Sequence, residues 1–398
     1  MNPRPRHRSL QGTIPPLGGT GIMPDTDDLI HAALAALAED RLDDAVETAA
    51  RARASAPSNA AARLTEARAL RAVRRLDEAA EAVAEARRLA PDDTAVTHAM
   101  ALIELSRGNW ENGWRLFEVR LAMPQRREFR FSHRAPPMWR GQELAGHSLL
   151  LRWEGGIGDT IQMLRYVEPL ICTGCTLFLD VQKPLLPLAE TLRGVAGITA
   201  SDSDDPVFGH ADFFLPMLSL PRHADDHLAR PCPPYLTADP RRVAGWKTRL
   251  AALPRPWRVV QWQGSSVAGS QPDHARSAPA ETFVAAFAGL SGSLISLDKD
   301  TRCPAGIIDL SAEVGDFADH AAILTLADHV VTVDSELAHL AGALGVAAQV
   351  LVAVNADWRW LAPNSGNLYP SLVPHHQERP GCWDTPLAAA VTARKRDA

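Results

Sequence analysis

The sequence predicts a helical repeat array followed by two α/β halves, each built on a parallel sheet. Three observations predict it. A 34-residue period runs through roughly residues 26–125, strand-length apolar runs alternate with helix-length segments from residue 148 onward, and that alternation lapses once and restarts. The period is carried by several features at once. Leu42-Asp43-Asp44-Ala45 recurs as Leu76-Asp77-Glu78-Ala79 and, more loosely, as Trp110-Glu111-Asn112-Gly113, each step being 34 residues. Pro57 and Pro91 keep the same interval, as do Ala33, Ala67 and Ala101, and then Ala52 and Ala86. Paired helices need small residues where they cross closely, and proline suits the point where the next unit begins. Three such units stack into an array whose groove can hold a peptide, or whose faces can serve packing or dimerisation. Residues 1–25, rich in Arg, Pro and Gly, read as a disordered tail with no apolar core for a signal peptide or membrane span.

Residues 126–147 lose every helical period and read as a linker. In the first half, 148–240, strand-like runs fall at 148–154, 176–181 and 198–201, with helices expected at 160–170 and 184–192. The pattern lapses over about 222–256, a polar stretch rich in Arg, Pro and Asp. In the second half, 241–398, strands are expected at 257–262, 293–297, 307–310, 329–333 and 349–354, with helices at 280–290, 317–326 and 337–344. Two Rossmann-like halves leave a cleft between the carboxyl ends of their sheets, where ligands of such folds bind.

Composition narrows the function classes. The 398 residues carry 41 basic and 47 acidic side chains, a net charge of −6, so no basic footprint for nucleic acid or an anionic membrane exists. Hydrophobic residues at 46% and charged residues at 22% describe a soluble globular chain. Lysine occurs only at 183, 247, 299 and 395, which singles out any lysine in a motif. The five cysteines, at 172, 175, 232, 303 and 382, form no disulfide framework and point to a reduced cytoplasmic compartment. Cys172-Thr-Gly-Cys175 reads as a loop before a strand, since no second ligand pair follows at zinc spacing.

Glu154-Gly155-Gly156-Ile157-Gly158-Asp159-Thr160 sits where the first strand turns into its helix. Its glycines are nearly those of a dinucleotide fingerprint, but Ile161 occupies the third position and Asp159 would repel a pyrophosphate. The turn suits close approach of a neutral ligand with Asp159 as a base, or Asp159 as a helix cap alone. After the expected strand 329–333, Asp334-Ser335-Glu336 opens a helix whose amides suit a diphosphate, with His339 one turn in, either functional or simply buried. Gly264-Ser265 begins a glycine-spaced loop that lacks the Lys and Ser/Thr of a Walker motif yet offers donors near a phosphate. Arg276 adds a guanidinium suited to phosphate, and Lys299 follows strand 293–297 at the same edge, unless it is merely solvated. His223-Ala-Asp225-Asp226-His227 has metal-like spacing but no clear third ligand.

Taken in order, WEGGIGDTIQMLRY, LPMLSLP, PYL, RS, SLDK, DFADHAAIL, VDSELAHLAGALG and DWRWL make the chain resemble bacterial tetratricopeptide-repeat proteins that carry a glycosyltransferase family 9, heptosyltransferase-like domain. The resemblance covers about residues 28–390, and the eukaryotic O-GlcNAc transferase is a more distant analogue. It implies tetratricopeptide repeats followed by a GT-B fold, a nucleotide-sugar donor held mainly by the second half, a protein acceptor brought by residues 26–125, and inverting transfer without a metal or other cofactor. Asp159 matches the presumed base, Asp334, Ser335 and His339 match the donor-side turn, and Arg276 and Lys299 match positions near the phosphates; Gly264, Ser265 and Glu336 are assigned to the donor side by their place beside these. The chain departs from that pattern at Gly155, where Gln is usual, at Glu336, where a small residue is preferred, and at His375-His376-Gln377, which replaces Phe-Arg-Gln. These departures leave open a catalytically inactive adaptor.

Overall fold

The computed structural model describes residues 25–123, 136–200, 210–224, 232–264, 275–299, 303–361 and 368–393. The first hundred of these form three helix pairs: α1 (Thr26–Ala38) with α2 (Leu42–Ser55), α3 (Ala60–Ala72) with α4 (Leu76–Leu89), and α5 (Thr94–Ser106) with α6 (Trp110–Phe117). The periodic small residues Ala33, Ala45, Ala67, Ala79 and Ala101 are fully buried at the crossings. In the third unit the approach is closer still, for a Cβ on Gly113 would lie 2.7 Å from Leu105 Cγ. The period also reaches the backbone. Asp40, Arg74 and Gly108 each follow the first helix of a unit with φ of 56°, 62° and 80°, the left-handed residue that ends a helix. Arg74 has no glycine's freedom there, so its conformation costs about 1 kcal/mol.

The first sheet contains β1 (Ser148–Arg152), β2 (Thr176–Asp180), β3 (Gly197–Thr199) and β4 (Phe213–Pro216), all parallel in the order β3-β2-β1-β4. The second contains β5 (Trp257–Gln261), β6 (Ser293–Ser296), β7 (Ile307–Asp309), β8 (His329–Val333), β9 (Ala348–Val352) and β10 (Leu372–His376). Its order, β10-β9-β8-β5-β6-β7, lays three strands to one side of a switch point and three to the other. That is the doubly wound dinucleotide-fold order, and in each sheet the crevice lies where the order reverses: between β1 and β4, and between β5 and β8.

Three expectations change. Strands β4 and β10 were not anticipated because Pro216 and Pro374 interrupt their apolar runs; both strands are at sheet edges, where proline is tolerated. The stretch over which the pattern was expected to lapse contains a helix, Pro240–Leu250, capped by Asp239 and buried through Trp246 and Leu250. The helix expected at 160–170 is two, Ile157–Met163 and Val167–Cys172, separated by a tighter turn. Pro169 lacks the amide that would continue the ladder back to residue 165.

The repeats dock on both sheets. Just past α6, Arg120 reaches Glu154 at the end of β1, with Nε 2.6 Å from Oε1 and Nη2 2.8 Å from Oε2. The two side chains are 1% and 0% exposed, and Glu118 and Ser219 complete the arginine's shell. Trp110 and Trp114 pack edge-on against Trp358 at 5.7 and 5.2 Å, while Arg74 donates to the carbonyls of Ala353 and Val354 beyond β9. Removing one member of a buried pair strands the other's charge. Glu154→Gln should therefore lower the stability measured by urea unfolding by about 3 kcal/mol or more; a change below about 0.5 kcal/mol, the size of a surface substitution, would contradict this packing.

Candidate active site

Strand β1 leads through Glu154, Gly155 and Gly156 into the helix Ile157–Met163. Gly155 has φ of 76°, and a Cβ there would collide with Asp159 Oδ2. Glycine is thus required where the resemblance expected Gln. Asp159 is the third residue of the helix, not its tip, and its Oδ2 accepts the Gly156 amide at 2.8 Å, so the capping role is real. The carboxylate nevertheless keeps 26% of its surface exposed. The next close approach is decisive: a Cβ on Gly158 would stand 2.8 Å from His339 Cδ2 and 3.3 Å from Glu336 Cα. The turn after β1 therefore abuts the first turn of the helix Glu336–Leu344, which follows β8. The turns beside the two crevices meet at this contact.

On the β8 side, Ser335 caps that helix by accepting the Leu337 amide at 3.3 Å. The same hydroxyl donates to Gln261 Oε1 at 3.1 Å and lies 2.9 Å from Thr332 Oγ1, which binds it into the ends of β5 and β8. Glu336 turns toward β5, accepting from Gln261 Nε2 at 3.1 Å. Gly264 lies against Arg276, where a Cβ would be 2.5 Å from Nε, and Arg276 donates to the Asp334 carbonyl at 3.3 Å. Asp159, Gly264, Arg276, Asp334, Ser335, Glu336 and His339 thus gather around this contact. Lys299 is exposed beyond β6, with Nζ 3.5 Å from the Gly315 carbonyl, and its charge and that of Glu336 both act on the buried His320. Ser265, Asp225 and His227 lie outside the described residues.

Two groups are strongly perturbed. Burial pushes His339 down to about 3, helped by the Arg359 charge, so it is a neutral hydrogen-bonding group, 3.1 Å from the Tyr369 hydroxyl. Burial, then the neighbouring Asp357 carboxylate, pushes Asp334 up to about 6.

The sequence reading passed over Arg359. It is buried and makes three separate bonds: Nη2 to Asp159 Oδ1 at 2.6 Å, Nε to Gln162 Oε1 at 2.7 Å and Nη1 to Asp357 Oδ1 at 2.9 Å. Its only local signal was an arginine between two tryptophans, over one of which, Trp358, its guanidinium sits at 4.4 Å. The departure at His376 also gains an explanation. Burial, with Arg74 nearby, lowers His376 to about 4, and Arg74 Nη2 stands 3.3 Å from its Nδ1. A permanent charge at this edge comes from the repeats instead.

The raised Asp334 gives a pH test. An acid that binds its proton more tightly when folded stabilises the fold below its unfolded value, near 4, and loses that contribution as pH rises through about 6. Asp334→Asn should gain stability over the parent above pH 6, with the advantage fading toward pH 4. A difference independent of pH in denaturant titrations would contradict this assignment.

The family model described as Tetratricopeptide repeat matches residues 36–103. Protein FlbA of Caulobacter vibrioides is 28% identical over 332 residues, which is 74% of this chain and 54% of FlbA, so the chain spans about half the length of that curated relative. Among solved structures, the glycosyl transferase family 9 protein of Veillonella parvula is 11% identical, covering 60% of this chain and 88% of its own, with a TM-score of 0.45. The glycosyltransferase TibC of enterotoxigenic E. coli is 16% identical over 61% of this chain and 67% of its own, at 0.42. The Thermobaculum terrenum O-GlcNAc transferase is 12% identical over 94% and 90%, at 0.29. Among the described residues no helix is long and apolar enough to cross a membrane. The chain thus carries a segment that matches the tetratricopeptide-repeat model, followed by an α/β unit of two parallel sheets.

Proposed function

We propose that the protein is a cytoplasmic glycosyltransferase, hexosyl- or heptosyl-type, that moves a sugar from a nucleotide-sugar to a polypeptide held by the repeats. The observation that supports this reading is the contact of Gly158 with His339 and Glu336, because it brings the turn that carries the partly exposed Asp159 against the first turn of the helix Glu336–Leu344. Asp159 takes the acceptor hydroxyl's proton as that oxygen attacks the anomeric carbon, inverting it. The departing diphosphate is met by the amides that open the helix Glu336–Leu344 and by Arg276, without a metal in the step. Gly264 lies on the same edge against Arg276, Lys299 adds a cation for the phosphates, and Ser335 acts through its capping geometry. Glu336 is compatible with a nearby diphosphate because its carboxylate is turned to Gln261.

One observation favours a second reading, a catalytically inactive adaptor: both oxygens of Asp159 already hold partners, Gly156 and Arg359. A thermal-shift panel of UDP, GDP, ADP and CMP separates the two. The enzyme reading expects one nucleotide to raise the melting temperature, the effect to vanish in Arg276→Ala, and Asp159→Asn to keep it while losing transfer by about a hundredfold or more. No response to any nucleotide at millimolar concentration would leave only the adaptor.

A further inference from the structure

Helix α3 carries Arg68 and Arg71 three residues apart, which sets them along one side of the helix, and Arg74 follows just beyond its end. Arg74 is spent on the carbonyls of Ala353 and Val354. Arg68 and Arg71 are different. Both are half-buried, and among the described residues neither has a hydrogen-bonding partner or an ion pair. Burial lowers both guanidiniums from their usual value. The charges that act on them are committed elsewhere: Asp93, near Arg68, caps α5 through the amides of Ala95 and Val96, and Asp357, near Arg71, pairs with Arg359.

The side they occupy is the inside of the array. Helices α1, α3 and α5 pack on one another in succession, whereas α2 and α4 make no comparable contact, so the stack curves with its first helices on the inner face. With α1 and α5 beside it and α2 and α4 behind it, α3 turns its remaining side inward, and exposed Ala61 lies on the same stripe as the half-buried Arg68 and Arg71 among the described residues. Arg71 lies near enough to feel the charge of Asp357, whose partner Arg359 also bonds Asp159.

We propose that Arg68 and Arg71 bind carboxylate side chains of an extended acidic segment in the polypeptide acceptor, next to the residue that enters the cleft. This rests on the polypeptide-acceptor reading above. The spacing suits it, because side chains a turn apart on a helix stand about 5–6 Å apart and alternate side chains of an extended chain about 6.6 Å. Two desolvated guanidiniums on a protein of net charge −6 form a local exception that an acidic partner would complete.

The test is fluorescence anisotropy with the full chain and a labelled ten-residue peptide of alternating Glu and Ser. Saturable binding is expected, weakening at least about tenfold in the Arg68→Gln/Arg71→Gln double variant. Arg75→Gln, which removes only the exposed pair with Glu78, should leave it unchanged, and melting curves confirm that each variant folds. Equal binding by the double variant, or no binding at millimolar peptide, would overturn the proposal. So would a double variant that loses its thermal response to a nucleoside diphosphate while still binding the peptide, which would assign the pair to the donor. A chain that binds the peptide through this pair but no nucleotide would sink the transferase reading and leave this one standing.

Discussion

The structure converges on the segment Asp357 to Trp360, and within it on the Arg359 guanidinium. This one buried cation bonds Asp159 and Gln162 from the first half and Asp357 from the second. Its flanking rings extend the junction in two further directions: Trp358 lies against Trp110 and Trp114 of the repeats, and Trp360 lies 6.2 Å from His339. A buried arginine is tolerable only when its charge is compensated on several sides. The position of Asp159 is therefore fixed by the same contact that joins the halves.

The repeats are then more than a recruiting arm. Arg120 clamps Glu154 immediately before the Gly155-Gly156 turn, and Arg74 closes on the end of β9, so the array grips both sheets beside the cleft. Arg74 holds a left-handed backbone at a position where Gly108 serves in the next unit. The contacts its side chain makes on the second half give a reason for keeping an arginine there despite the strain. An acceptor lying in the groove would be presented to the cleft by a surface fixed relative to it.

The repeats were legible because their period is written in small residues whose burial leaves no alternative at the helix crossings. The two turns were legible because glycine and capping residues act over a few positions. What was illegible is long-range or interrupted. Arg359 finds partners 200 and 197 residues away, and nothing within DWRWL announces them. The edge strands β4 and β10 carry prolines that break an apolar run, and Pro240–Leu250 buries so few side chains that it passed for a polar connection, although Asp239-Pro240 followed by Val243, Trp246 and Leu250 was a usable helical signal.

The central claim is that the turn after β1 and the turn after β8 line a single nucleotide-binding cleft. Amide hydrogen exchange with and without the nucleoside diphosphate that raises the melting temperature tests it most directly. The account predicts slower exchange at both 156–160 and 335–339, with α1 and α2 unchanged. Protection at only one of these turns, or at neither, would contradict it.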